Sequence, residues 1–319
     1  MEKKTSLRDL SSELGVSPTT VFRALNGCGD VDARTEARIR SAAEARHYRL
    51  RQTSFSGECV CILPSVPEYF WGSVRRLFQE KATRRIRFFL YPFLGEKDGF
   101  LSCLASALEC DPSLLIVAAP EDDSVRDALS QCGVPVFFFC EYVSMVNAFF
   151  FGSDPHADGA RLGDAFRERY PGCRRLLHLM LNEGTPLSRA RTESFFSRLP
   201  HAVVADRLSI PENKPYLASL LARQISEANP FDGVFCETGV LPAVCLALDK
   251  CRIPRSVICV GFEQAPSLES YRQSGRPILT LTQDLERQVS TCITSAERYL
   301  QTGMFPDAKE IFLPSLLSD

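Results

Sequence analysis

Two spacings of hydrophobic residues divide the chain. Up to residue 48 the apolar positions recur at intervals of three and four, the helical repeat. LRDLSSEL (7–14) sets Leu7, Leu10 and Leu14 on one face. Gly15 suits the positive φ of a sharp turn. Ser17 is then placed to cap a second helix, with Pro18 at its first position. Val21, Ala24 and Leu25 form the apolar stripe of that helix, and Asn26-Gly27 is its stop signal. Asp32 predicts the start of a third helix through about residue 46, with Ala33, Ala37, Ile39, Ala42 and Ala43 on its apolar positions. RLRQTSFSGE (49–58) has no clear period and reads as a linker.

From residue 59 the pattern changes to short continuous apolar runs: CVCILPS, RFFLYPF (87–93), LLIVAA (114–119), VPVFFFC (134–140) and AFFFGSD (148–154). RRLLHLML (174–181), AVVAD (202–206), GVFCE (233–237), VICVGFE (257–263) and ILTLTQD (278–284) continue the series. Helical patterns fill most gaps, such as SVRRLFQEKA (73–82), DGARLGDAFRERY (158–170) and PYLASLLARQISEA (215–228). Runs without alternation, separated by helices, predict parallel strands buried on both faces. Ten strands are too many for one comfortable sheet, so two α/β lobes are expected.

Composition adds limits. The 319 residues allow two or three domains, and 45% hydrophobic with 24% charged is an ordinary globular balance. Net charge is −2, but residues 1–51 hold ten Lys or Arg against seven Asp or Glu. A basic head on an acidic body fits nucleic acid for the head alone, although a chance imbalance gives the same charge pattern. The thirteen cysteines are scattered, odd in number and set within apolar runs, which fits reduced thiols in a cytoplasmic protein. The N-terminus has no apolar export segment, and no run is long enough to span a membrane. The four histidines (47, 156, 178, 201) lack metal-ligand spacing, and no GxGxxG, P-loop or GxSxG occurs. The expectation is therefore a protein with no cofactor, no metal and no enzymatic activity.

TSLRDLSSELGVSPTTVFRALNG, followed by VDARTEARIRSAAEARHY, resembles the head of the lactose-repressor (LacI/GalR) family of bacterial transcription regulators. FGSDPHADGARLGDAF, PLSRARTESF, GVFCETGVLPAVCLALDKCRIPRSVICVGFE and LTLTQDLERQV resemble segments of the family's body, in the family's order. The resemblance implies an all-α helix-turn-helix head at residues 1–48, the linker 49–58, and an effector-binding and dimerisation domain at 59–319. That body would be two-lobed and like periplasmic binding proteins, with parallel sheets. Its first lobe would take about 59–170 and 285–304, its second about 171–284 and 305–319, with crossings near 170, 284 and 305.

The resemblance also implies roles. A recognition helix from Ser17 would set Pro18, Thr19, Thr20, Phe22 and Arg23 against DNA, with Arg23 suited to a guanine edge. Thr5, Ser17 and Asn26 would cap helices or touch phosphate, as would Arg49 and Arg51 in the linker. Phe22 departs from the family's small serine; it would pack on a thymine methyl or fold back on the helices. The linker lacks the family's hinge-helix pattern, so coupling between body and head must run another way. In the body, Phe70 and Trp71 follow the first strand, where the family often places stacking aromatics, so they are cleft candidates; a core aromatic at a helix start is the alternative. Arg191 in SRARTESF matches the family's effector-binding arginine, and Asp158, Glu237, Glu263, Gln283 and Asp284 fall at strand-end positions of the family's pocket. Ser194 replaces a family glycine, and Glu237-Thr238 and Glu263 replace Asn-Asp and Asp. The implied protein is a cytoplasmic homodimeric repressor of carbohydrate-utilisation genes, binding palindromic operator DNA under a small sugar-like effector. Regulation by a non-sugar ligand or a protein co-repressor is the alternative. A sugar-binding carrier or an enzyme on the α/β body is the remote one.

Overall fold

A computed structural model describes residues 7–17, 20–21, 24–25, 31–46, 57–65, 69–82, 86–91, 96–141, 143, 145, 148–181, 185–199, 203–210 and 216–318. Helix α1 (Leu7–Leu14) and helix α2 (Ala33–Ala45) bracket helical residues 20, 21, 24 and 25. Gly15 takes φ +64° between them. Ser17 starts the middle segment: its Oγ accepts from the Thr20 N–H at 3.0 Å and its carbonyl from the Val21 N–H at 3.1 Å. Asp32 caps α2 by accepting from the Thr35 N–H at 2.9 Å. Leu10, Val21, Ala24, Ile39 and Ala43 close a small core of their own. Arg46 meets Glu13 at 2.9 Å and Arg38 reaches the Leu14 carbonyl at 3.3 Å, tying α2 to α1.

The body begins with strand β1 (Cys59–Pro64), helix α3 (Tyr69–Lys81), β2 (Ile86–Tyr91), α4 (Lys97–Leu108), β3 (Leu114–Val117), α5 (Asp123–Gln131), β4 (Val136–Phe139) and β5 (Ala148–Gly152). It continues with α6 (Pro155–Arg169), β6 (Arg175–Leu181), α7 (Pro186–Ser197), β7 (Val203–Ile210), α8 (Leu217–Glu227), β8 (Gly233–Cys236), α9 (Leu241–Lys250), β9 (Ile258–Phe262), α10 (Leu268–Gln273) and β10 (Ile278–Thr282). Helix α11 (Leu285–Thr302) and two short strands, β11 (Glu310–Phe312) and β12 (Leu316–Ser318), complete it.

The strands form two six-stranded sheets, in the orders β11-β5-β4-β3-β1-β2 and β12-β10-β9-β8-β6-β7. Every pairing is parallel except β10 with β12. Alternate residues of a strand serve opposite cores. In β1, Cys59, Cys61 and Leu63 face α3 and α11, whereas Val60 and Ile62 face α4 and α5. In β8, Val234 and Cys236 face α8, α9 and α10, whereas Phe235 faces α6 and α7. Burial on both faces explains the unbroken apolar runs.

The chain passes between the sheets at three places: residues 153–154, 283–284 and 313–315. The expected passages near 170 and 305 are corrected by packing and pairing. Leu162 and Phe166 of α6 bury against the second sheet, so the first passage precedes that helix. Strand β11 runs parallel to β5 on the first sheet, so the third follows Phe312. Among the described residues no helix is long and apolar enough to cross a membrane, and the described cysteines are all free.

Candidate functional site

The polar residues gather where the two sheets meet, at the carboxyl ends of their strands. Helices α6 and α7 set up the centre of the group. A side chain on Gly159 would lie 2.2 Å from the Arg191 carbonyl, and one on Gly163 would lie 2.7 Å from the Phe195 carbonyl. These two glycines let the helices pack backbone to backbone, which brings Asp158 of α6 beside Arg191 of α7. Ser194 uses its hydroxyl to donate to the His156 carbonyl at 2.7 Å and adds to the same contact.

Arg191 is the hub. Its Nη2 donates to Ser153 Oγ at 2.8 Å and lies 3.8 Å from Asp158 Oδ2. Its guanidinium sits 5.4 Å from the centre of the Phe262 ring. Arg191 Nε is buried with no hydrogen-bond partner. Asp158, 5% exposed, accepts from Ser315 Oγ at 2.9 Å. Glu263 follows β9 in the left-handed region at φ +65°, a strained setting for a side chain with a Cβ. Protein atoms crowd its carboxyl although part of the residue remains open. That burial pushes the Glu263 carboxyl up to about 7, against the opposing pull of Arg191.

Gln283 joins the passages between the lobes. Its Oε1 accepts from Ser153 Oγ at 3.2 Å and from Gln288 Nε2 at 3.3 Å, and its Nε2 donates to Glu263 Oε1 at 3.0 Å. Cys140, itself at φ +61°, points its thiol at the same two glutamines. Gln283 is 6% exposed, so it braces the crossing and lies behind the Glu263 carboxylate. Asp284 accepts from the Arg287 N–H at 3.1 Å and caps α11.

A second group flanks the first. Glu237, at the end of β8, accepts from Thr192 Oγ1 at 3.1 Å and has His178 Nε2 at 3.4 Å. His178 is 5% exposed, packed by Phe196 and Phe235, and neither ring nitrogen has a hydrogen-bond partner. The first turn of α7 also reaches the first lobe. Leu187 is buried in that lobe's core, Arg189 meets Glu121 at 3.0 Å, and Thr185 donates to Glu141 at 3.4 Å.

The structure therefore brings together Asp158, Arg191, Glu263 and Gln283, with Glu237 one residue removed through Thr192. Trp71 is placed elsewhere. It is 5% exposed in the core with Val74, Phe78 and Val289, and Phe70 packs edge-on against it at 5.1 Å. The helix start buries the ring, which corrects the reading of Trp71 as a stacking plate in the cleft. Sequence reasoning missed Ser153, His178, Thr192, Gln288 and Ser315. Ser153 and Gln288 could have been found from their neighbours, a strand end and the first turn of α11. Thr5, Pro18, Thr19, Phe22, Arg23, Asn26, Arg49 and Arg51 lie outside the described residues. Ser17 and Thr20 are described, and their hydroxyls pair at 2.8 Å.

Chemically the site offers a guanidinium, carboxylates and hydroxyls around an aromatic face, a donor and acceptor set that suits a polyhydroxylated ligand. No protein-family model matches the chain, and no curated protein matches it. Solved structures match its fold. The chain is similar to the Caulobacter myo-inositol binding protein bound to myo-inositol, at 17% identity and TM-score 0.72, over 83% of this chain and 94% of that one. It is similar to the periplasmic component of an ABC-type sugar transport system from Hahella chejuensis, at 17% identity and TM-score 0.73, over 82% and 99%. A putative LacI transcriptional regulator from Bacteroides fragilis matches at 15% identity and TM-score 0.69, over 82% and 96%. The body thus has the two-lobed α/β fold of periplasmic binding proteins, with parallel sheets.

Proposed function

We propose that this chain is a sequence-specific DNA-binding regulator whose two-lobed body binds a small sugar-like effector. The observation that carries the reading is the helical unit at residues 7–46, which has its own core and a Ser17-capped middle segment, ahead of a body of binding-protein fold. The start of that middle segment is where a recognition helix would present Thr19, Phe22 and Arg23 to base edges, with Thr5, Pro18, Asn26, Arg49 and Arg51 nearby for caps and phosphates. Two heads in a homodimer would read the halves of a palindrome, in the cytoplasm.

The effector would lie against Arg191, Asp158, Glu237 and Glu263. Arg191 Nε, buried and unpartnered, is a donor such a ligand can satisfy. Ligand binding would then shift the balance of lobe arrangements and with it the placement of the heads.

The solute-binding proteins among the structural neighbours favour a second reading, a sugar-binding protein with no DNA role. Selection of fragments from genomic DNA by the full chain separates the two. A recovered palindromic sequence is the result expected of a regulator; recovery of DNA with no common sequence leaves the binding-protein reading. Calorimetry with myo-inositol and a panel of pentoses and hexoses tests the effector class, and silence across the panel would turn the reading to a non-sugar ligand or a protein co-repressor.

A further inference from the structure

The second sheet carries another buried polar cluster, on the face turned away from α6 and α7. Arg276, just before β10, has a side chain with 0% exposure. Its Nη2 meets Asp249 Oδ1 at 2.7 Å, but its Nε and Nη1 have no partner. Arg272 donates to Thr280 Oγ1 at 3.1 Å, and its Nε is also buried without a partner. Asp249 is shared with Arg255 at 3.7 Å. The acid beside Arg272, Glu269, is 3.9 Å away with a side chain 57% exposed. Arg276 and Arg255 therefore share Asp249, Arg272 has only the more distant Glu269, and the buried Arg276 and Arg272 keep unused donors. Such an arrangement favours a nearby anion.

Two thiols lie next to it. Cys245 of α9 and Cys259 of β9 are both fully buried, with their sulfurs 4.0 Å apart. The hydrogen bond with Cys259 lowers the Cys245 thiol, with Arg276 and Arg272 acting in the same direction and burial and Asp249 against it. The same bond raises Cys259, and burial adds to the rise. The pair is unequal, and the Cys245 thiol is the more readily deprotonated of the two. Cys236 lies on the same core but donates its thiol to the Thr238 carbonyl at 3.3 Å.

We propose that Cys245 and Cys259 form a peroxide-responsive dithiol, with Cys245 as the attacking sulfur, Cys259 as the resolving one, and Arg276 and Arg272 as its cationic setting. The Cys245 thiolate forms a bond to one oxygen of hydrogen peroxide, and the O–O bond breaks. The leaving hydroxide takes a proton and becomes water, leaving a sulfenic acid. Cys259 then attacks the Cys245 sulfur, the S–S bond forms, and the S–O bond breaks. The departing hydroxide takes the Cys259 proton as a second water. Two thiols are oxidised, one peroxide is reduced to two waters, and a disulfide joins α9 to β9. An added dithiol reverses it by exchange. Full burial confines the chemistry to oxidants as small as peroxide, while the cationic setting supplies what a buried thiol otherwise lacks.

The test is timed exposure of the full chain to hydrogen peroxide, followed by denaturation, alkylation and peptide mapping. A Cys245–Cys259 linked pair, lighter by two hydrogens, should accumulate about tenfold faster than oxidation at the part-exposed Cys103 or Cys251. In Cys259→Ser, Cys245 should stop at the sulfenic acid and be captured by a cyclic 1,3-dione. Removing Arg276 strands Asp249 and threatens folding, so Arg272→Gln is the informative variant. It should slow pair formation severalfold with an unchanged circular dichroism spectrum. Recovery of Cys245 and Cys259 as thiols after Cys103 has oxidised would overturn the proposal. So would a Cys236–Cys259 link in place of the proposed one, or an unchanged rate in Arg272→Gln.

Discussion

Among the described residues, the helical unit at 7–46 closes over five buried apolar side chains, whereas each sheet of the body is packed by helices on both faces. In the unit, local devices do much of the work: the Ser17 cap, the Asp32 cap and the Gly15 turn. In the body the work is done across long sequence distances. Arg191 meets Ser153 and Asp158, and Asp158 meets Ser315. A thin core held by local signals is easy to perturb without touching the rest. A site assembled from distant segments fails as a whole when one member goes.

Four substitutions would sharpen or break that contrast. Arg191→Ala leaves Asp158 without its guanidinium and Ser153 without its donor. It should cost the body roughly 3–5 kcal/mol and abolish effector binding. Chemical denaturation reads the first and calorimetry the second; a body of unchanged stability would show that the group is not coupled. Leu10→Ala opens a cavity in the small core at a cost of roughly 2–5 kcal/mol. Hydrogen exchange should then rise throughout residues 7–46 while β1, β3 and β4 keep their protection. Loss of protection in both regions would erase the distinction.

Glu263→Gln comes next. The folded carboxyl is raised from the ordinary 4.5 to about 7, so the folded state holds the proton more tightly than the unfolded chain. Its stabilising contribution is complete below about pH 4.5 and is lost as pH rises through 7. Between those limits the native chain should lose roughly 2–3 kcal/mol that the glutamine variant keeps, allowing for the partly open surface of Glu263. Parallel pH profiles for the two would remove Glu263 from the account. Ser17→Ala is the mildest: about 1 kcal/mol, confined to the helical unit. A wider effect would mean that the cap supports more than its own helix.

The same contrast governs what could be read beforehand. The ten long strands were legible because burial on both faces demands unbroken apolar runs. Strands β11 and β12 were not: three residues at a sheet edge, two of them exposed in each strand, carry no such pattern. Missing them moved the last crossing, and the late placement of the first ignored that Leu162 and Phe166 need the second sheet. Asp158, Arg191, Glu237 and Glu263 were singled out only through resemblance, the first two on helices and the last two just past strand ends. Ser315 and His178 were not, because they acquire meaning from partners more than 50 residues away in the chain. Trp71 misled for a local reason, since a residue just after a strand can turn into the cleft or under the next helix.

The central claim, that this is a regulator which reads DNA sequence through its head, is tested most directly by the ratio of specific to nonspecific affinity. Binding of the full chain to its selected sequence and to a scrambled duplex would be measured at one salt concentration, with and without Arg23→Ala. The account predicts a native preference of at least about a thousandfold. Arg23→Ala should cut that preference roughly tenfold or more and leave scrambled binding nearly unchanged. Equal affinity of the native chain for both duplexes would contradict it.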